Sequence, residues 1–178
     1  MKEQTETDDS KELKDGRYTT YHPNGNVLCI ENFKDGKRHG VFESYYAGST
    51  GGIYERYYYN GDREGLYERF SNSGVLECKG IYRNGKKEGI FEEYYGNGVI
   101  FRRTTYEQGE KQGRFTEHFK NGSVSLFGSY QKGKRHGTFI SLFKNGKLSA
   151  LCEYHEGVLK GFSEEFTKDG KRYSFIVY

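Results

Sequence analysis

An elongated, open all-β meander is the fold class that this sequence predicts, and three observations predict it. Aromatic residues recur at Phe33, Tyr58, Tyr82, Tyr106, Tyr130, Tyr154 and Tyr178, separated by 25 residues once and by 24 thereafter. Glycines keep step in two series, Gly16, Gly40, Gly65, Gly89, Gly113, Gly137, Gly161 and Gly36, Gly61, Gly85, Gly109, Gly133, Gly157. Asn-Gly or Asp-Gly pairs end nine residues after a glycine of the first series, at Asn24-Gly25, Asn97-Gly98, Asn121-Gly122, Asn145-Gly146 and Asp169-Gly170, with Ser73-Gly74 as a variant. A fixed period of this length means a one-dimensional stack of small units, each packing only on its neighbours. Two turns per 24 residues leave two segments of ordinary strand length, so each of about seven units is one antiparallel hairpin.

The chain opens on MKEQTETDDSKELK, residues 1–14, which carries five acids and three lysines and almost nothing apolar. It is expected to be a disordered polar tail before an array spanning 15–178. Within each unit the stretch G-x-x-x-G reads as a tight turn, because glycine supplies positive φ without steric cost. The strand after it carries aromatics two residues beyond the phase glycine (Tyr18, Phe42, Tyr67, Phe91, Phe115, Phe139) and again five or six beyond (Tyr21, Tyr45, Phe70, Tyr94, Phe119, Phe143). A spacing of three crosses faces under strict alternation, so either both faces carry rings or a bulge resets the register. The strand after Asn-Gly alternates cleanly: Val27, Cys29, Glu31, Phe33 in one unit and Leu76, Cys78, Gly80, Tyr82 in another form one face at period two. Glu77, Lys79, Ser123 and Ser125 then face water.

Two units depart from the rule. The second replaces Asn-Gly with Ala47 to Gly52 and continues into Tyr57, Tyr58 and Tyr59, so its rim loop should bulge outward. The last carries Phe162 and Ser163 after its glycine and ends on Tyr173, Ser174, Phe175, Ile176, Val177 and Tyr178. An apolar final strand is an exposed edge, which either pairs with another chain, making the C-terminus a dimer seam, or folds back on the array.

Composition supports a half-solvated sheet. The 178 residues include 17 Tyr and 13 Phe, 25 Gly and a single Pro, with a net charge of only +3. Amphipathic rings supply the apolar area that aliphatic residues do not. No secretory h-region and no apolar run of membrane-spanning length occurs, which predicts a soluble, cytoplasmic protein.

The units YHPNGNVLCIENFKDGKRHGVFESYY (Tyr21 to Tyr46) and FKNGSVSLFGSYQKGKRHGTFISLF (Phe119 to Phe143) resemble the MORN repeat, in its variant form with NG-x-[VL] opening the second strand and Y-x-x-G-K-x-x-G closing it. The resemblance extends over residues 15–178 and implies an open, twisted β-meander. For function it implies a binding module. The bacterial proteins built of this variant are held to be antitoxins of toxin–antitoxin systems, and other MORN proteins bind membrane phospholipid or act as scaffold and dimerisation modules.

Enzyme chemistry finds no constellation. His39 and His136 occupy equivalent positions eight strands apart, about 40 Å at the usual strand spacing, so they share no metal. Cys29 and Cys78 lie four strands apart, about 19 Å, beyond disulfide reach. With Cys152 they fall on the apolar face and read as small core residues of a reducing compartment. A catalytic cysteine beside His155 lacks an oxyanion motif. GSTGG lacks the G-K-[ST] ending of a phosphate loop. No catalytic residue, cofactor or metal is expected.

Two binding surfaces remain. Tyr58, Tyr82, Tyr106, Tyr130 and Tyr154 form a row along the ribbon that either grips a protein partner, for which the resemblance implies a toxin neutralised by occlusion, or forms the core. Lys37, Arg38, Lys86, Lys87, Lys134 and Arg135 form a basic turn rim that either binds anionic phospholipid, as a peripheral membrane or scaffold adaptor would, or is an ordinary solvated turn row. Acids on the first strands (Glu43, Glu68, Glu92, Glu117) would make the ribbon dipolar, which suits protein docking better than a nucleic-acid partner.

Overall fold

The computed structural model describes residues 15–48 and 52–178; the polar tail and the tip of the second unit's long loop lie outside them. Fifteen strands follow in chain order: β1 (Gly16–Tyr21), β2 (Val27–Lys34), β3 (Lys37–Tyr45), β4 (Ile53–Asn60), β5 (Asp62–Arg63), β6 (Gly65–Phe70), β7 (Leu76–Arg83), β8 (Lys86–Tyr94), β9 (Ile100–Glu107), β10 (Glu110–His118), β11 (Val124–Gln131), β12 (Lys134–Leu142), β13 (Leu148–His155), β14 (Val158–Phe166) and β15 (Arg172–Val177). They form one sheet in strict sequence order, β1 to β15, with the two-residue β5 pairing off the path onto β4. All pairings are antiparallel between chain neighbours, and β1 and β15 are its two edges. The all-β meander expected from the period is what forms.

Both turn rows follow from their residues. At the closing turns Asp35-Gly36, Asn84-Gly85, Gln108-Gly109, Lys132-Gly133 and Glu156-Gly157, both residues have positive φ, 48° to 51° for the first and 69° to 89° for the second. Two such residues in succession are the type I′ geometry that matches strand twist, which is why glycine is fixed at the second position. The first position tolerates Gln, Lys and Glu only at a cost, since side chains beyond Asn and Asp are disfavoured there. At the opposite rim the register shifts once per hairpin, between Thr20 and Tyr21, Ser44 and Tyr45, Arg69 and Phe70, Glu93 and Tyr94, Glu117 and His118, Ser141 and Leu142, and Glu165 and Phe166. Of the two explanations for the three-residue aromatic spacing, rings on both faces is the one that operates: each shift puts its extra residue on the strand after Asn-Gly, and Tyr45 and Tyr94 share the face of Glu43 and Glu92, to which their hydroxyls donate.

Successive turns are stitched to one another. The amides of Gly61, Gly85, Gly109, Gly133 and Gly157 donate to the carbonyls of Arg38, Arg63, Lys87, Lys111 and Arg135 in the preceding turn, at 2.8–2.9 Å. Side chains add to this: the amides of Asn84, Gln108 and Lys132 donate to the carboxylates of Glu64 and Glu88 and the amide oxygen of Gln112. Across the sheet, Asn24, Asn97 and Asn145 donate to carbonyls of Ala47, Lys120 and Lys168 in the next unit.

The second unit corrects the aromatic series. Gly40 pairs with Tyr59, as Gly65 pairs with Tyr82 and Gly89 with Tyr106, so Tyr59 rather than Tyr58 holds the repeat position. The long loop there joins Tyr45 to Ile53, where the next unit joins Phe70 to Leu76, and so adds two residues. The following turn pairs Asn60 with Asp62, where its counterpart pairs Arg83 with Lys86, and so removes one. The net gain of one hides a shift that moves Tyr58 to the other face.

Candidate functional site

A single-layer sheet has two faces and two rims. One face, here the ring face, carries the core. A central cross-strand row alternates rings with small residues: Tyr67 opposes Gly80, Phe91 opposes Thr104, Phe115 opposes Gly128 and Phe139 opposes Cys152. In the second unit the small residue is replaced by a ring, Phe42 opposing Tyr57. Tyr57, Tyr59, Tyr67, Phe91, Phe115 and Phe139 are all at most 9% exposed. Edge-on contacts tie this row to the repeat tyrosines: Phe91 to Tyr82 and Tyr106, Phe115 to Tyr130, and Phe139 to Tyr130 and Tyr154, with centroids 5.2–5.8 Å apart. Each such pair contributes about 0.5–1.5 kcal/mol beyond area burial.

Cations close this row from above. Arg63 lies 4.0 Å from the centroid of Tyr57, Lys87 is 4.7 Å from Phe91 and 4.9 Å from Tyr106, Lys111 is 4.9 Å from Tyr130, and Arg135 is 4.9 Å from Phe139. Arg38 reaches Tyr59 at 5.7 Å. Burial pushes the Tyr67 hydroxyl up to about 12 and raises the Cys78 thiol, consistent with packing rather than reaction at these groups.

This placement sorts the residues singled out by the sequence. Tyr82, Tyr106, Tyr130 and Tyr154 are half-buried members of the ring-face core, whereas Tyr58 sits on the opposite face, 43% exposed. Of the six rim cations, Arg38, Lys87 and Arg135 lie against rings, because the middle residue of G-x-x-x-G points to the ring face. Lys37, Lys86 and Lys134 remain exposed. Their row along the rim reads Lys37, Asp62, Lys86, Glu110, Lys134, Val158, so each lysine is followed by an acid or an apolar residue and no continuous basic strip forms.

The other face is uncovered among the described residues. Val41 opposes Tyr58, Leu66 opposes Ile81 and Ile90 opposes Thr105. The register breaks between β4 and β6, where the Glu64 amide donates to the Tyr58 carbonyl, and between β7 and β8, where Ile81 opposes Glu88. Even so, Val41, Tyr58, Leu66, Ile81 and Ile90 each stand two residues along their strands from Glu43, Arg56, Glu68, Lys79 and Glu92. Five apolar side chains thus stand in line on β3, β4, β6, β7 and β8, each 41–58% exposed. The sequence signal for three of them is the residue directly after the phase glycine, Gly40-Val41, Gly65-Leu66 and Gly89-Ile90. Beside them runs a charged row, Glu43, Arg56, Glu68, Lys79, Glu92, Arg103, each opposing the next across the sheet. Arg56 bridges Glu43 at 2.9 Å and Glu68 at 3.6 Å; Glu92 takes Lys79 at 3.1 Å and Arg103 at 2.8 Å. Burial alone would raise the Glu92 carboxyl, but hydrogen bonds from Tyr94, Arg103 and Lys79 outweigh it and hold the group at about 2. The row continues as Thr116, Phe127, Ile140 and Leu151. Among the described residues no three His, Cys, Asp or Glu side chains are grouped to hold a metal, and no helix is long and apolar enough to cross a membrane.

Comparison with known proteins gives limited likeness at the level of whole structures. A crystal structure of a GtfA/B complex bound to UDP and GlcNAc shares 15% identity over 65% of this chain, with a TM-score of 0.27, and the match spans 22% of that chain. A protein of unknown function from Bacteroides fragilis shares 9% identity, with 92% and 93% of the two chains covered and a TM-score of 0.17. No curated protein matches. Repeats of the MORN kind are in general non-enzymatic and bind proteins or membranes. Residues 14–35, 63–84 and 87–108 match the MORN repeat variant, so units of that type stand at three places in this array.

Proposed function

We propose that the protein is a non-catalytic protein-binding module whose docking surface is the open face of its N-terminal half. The row Val41, Tyr58, Leu66, Ile81, Ile90 carries this reading. A chain of mean hydropathy −0.96 that leaves five aligned apolar groups bare has an interaction surface there, since contiguous exposed apolar patches mark such sites. The flanking charge ladder is paired internally, so docking against it strands no ion. In its finer form the module is an antitoxin or immunity-type protein, which neutralises a partner by covering its working surface.

The test is capture from the native host with wild-type protein and with Leu66→Lys/Ile81→Lys. Both sites are about half exposed, so folding tolerates the change. A partner retained by the wild type and lost by the variant is expected; for the antitoxin form, co-expression of that partner without this protein should arrest growth. Equal capture by both proteins would move the docking surface elsewhere.

A further inference from the structure

Among the described residues one pair of histidines stands ring against ring, at the closing rim of the C-terminal half. Gly137 opposes Tyr154, so His136 on β12 and His155 on β13 are the next cross-strand pair outward, with ring centroids 5.3 Å apart and planes inclined at 50°. Both rings leave the sheet on the open side, since their chain neighbours Arg135 and Tyr154 belong to the ring face. Among the described residues neither imidazole makes a hydrogen bond. The residues equivalent to His136 in earlier units, Glu64, Glu88 and Gln112, each accept the amide of the following closing turn, and His136 does not. Its Nδ1 is buried without a partner, which leaves Nε2 as the nitrogen it presents to solvent.

We propose that His136 and His155 form a site for a divalent transition-metal ion of the zinc class, each giving one imidazole nitrogen, with water in the remaining positions. The site lies apart from the apolar docking row and does not depend on it. Neutral imidazole is the commonest protein ligand of such ions. Two imidazoles on one tetrahedral ion, each bound at about 2.0–2.1 Å, hold their centroids about 5 Å apart, which is the separation these rings already have. Glu153 lies two residues before His155 on the same face and lines the same hollow, together with Lys160. Its carboxylate occupies the space over Gly161 where a Cβ would stand. There it offsets the lysine charge and can accept a hydrogen bond from a metal-bound water, the usual outer support of such sites. The turn sequence alone does not make the site: Lys37-Arg38-His39-Gly40 repeats Lys134-Arg135-His136-Gly137, but His39 opposes Asn60. A bound ion would tie β12 to β13 at the end of their hairpin opposite Asn145-Gly146, so that binding adds to folding stability.

Calorimetric titration of the untagged full chain with Zn²⁺ tests this. Wild type should bind one ion per chain. His155→Gln, at an exposed position and with wild-type circular dichroism, should weaken binding by at least about tenfold, and His136→Gln should do the same. His39→Gln should bind as wild type does. In nitrogen-detected spectra of the imidazoles, Zn²⁺ should shift His136 and His155 and leave His22, His39 and His118 in place. The urea midpoint should rise with Zn²⁺ for wild type and stay fixed for His155→Gln. Asn60→His, which sets a second histidine opposite His39, should raise the count to two ions, and an unchanged count would contradict the geometric basis. Absence of saturable binding up to about 1 mM Zn²⁺ would overturn the proposal, as would binding that survives His155→Gln or shifts spread over all five histidines.

Discussion

Replacing Gly80 by alanine should destabilise the fold, although alanine is ordinarily the better strand residue by about 0.5–1 kcal/mol. A Cβ at this position would meet two ring carbons of Phe91 at 2.5 Å and a third at 2.6 Å. That is about 1 Å inside optimal contact between carbon atoms. The ring cannot swing away. It is 3% exposed and is held edge-on between Tyr82 at 5.6 Å and Tyr106 at 5.2 Å, with Lys87 over it. Overpacking of this kind costs about 1–3 kcal/mol, which outweighs the gain in strand propensity and leaves a net loss of about 1–2 kcal/mol. Urea unfolding should show it: with m near 2 kcal/mol/M, the midpoint falls by about 0.5–1 M. In a Phe91→Leu background the same glycine substitution should cost less than half as much, a coupling that only contacting residues show. An unchanged or raised midpoint for Gly80→Ala, or an identical cost in both backgrounds, refutes the view that the row needs a small residue between its rings.

Three other outcomes are expected. Gln108→Asn and Lys132→Asn, at closing-turn positions with φ of 51° and 48°, should each raise stability by about 0.5–1 kcal/mol, because Asn adopts this conformation more readily; a loss in urea midpoint would contradict the turn assignment. The Glu92 carboxyl is held at about 2 in the fold against 4.5 in the free group, so its contribution is complete above the unfolded value and disappears as pH falls from about 4.5 to 2. Glu92→Gln should flatten the stability profile in that window and nowhere else. Deleting Ile90 to Gly113, one whole unit, should leave a shorter array with the same circular dichroism per residue, whereas deleting Ile90 to Phe101 should abolish cooperative unfolding.

The period, the turn glycines and the inward face of the second strand could be read directly from the residues. Each is a local requirement: positive φ at Gly85, alternation through Cys78, Gly80 and Tyr82. The start of that second strand could not, because the bulge opposite Glu93 and Tyr94 adds Phe101 to it and breaks there the parity on which alternation depends. Tyr58 was misplaced for an arithmetical reason, a two-residue insertion in one turn masked by a one-residue deletion in the next. The rim cations mislead in a different way. Sequence counts Lys87 and Arg135 as free surface charge, but a long side chain leaving a strand next to a ring folds over it and packs on the core, whereas Arg38 stays exposed and pairs with Glu31. The small partners of the rings, Gly80 and Gly128, were similarly hidden among the turn glycines, although neither has positive φ.

The bonds between successive closing turns give the array an internal reporter. Hairpin-tip amides normally exchange hydrogen with water quickly, but those of Gly61, Gly85, Gly109, Gly133 and Gly157 are each held by a carbonyl one unit upstream. Their protection therefore measures the seam before them rather than the hairpin that contains them. Fraying that begins at β1 should release Gly61 first and Gly157 last, and fraying from β15 the reverse. Deuterium uptake at five glycines would thus tell from which end, and in what steps, the ribbon comes apart.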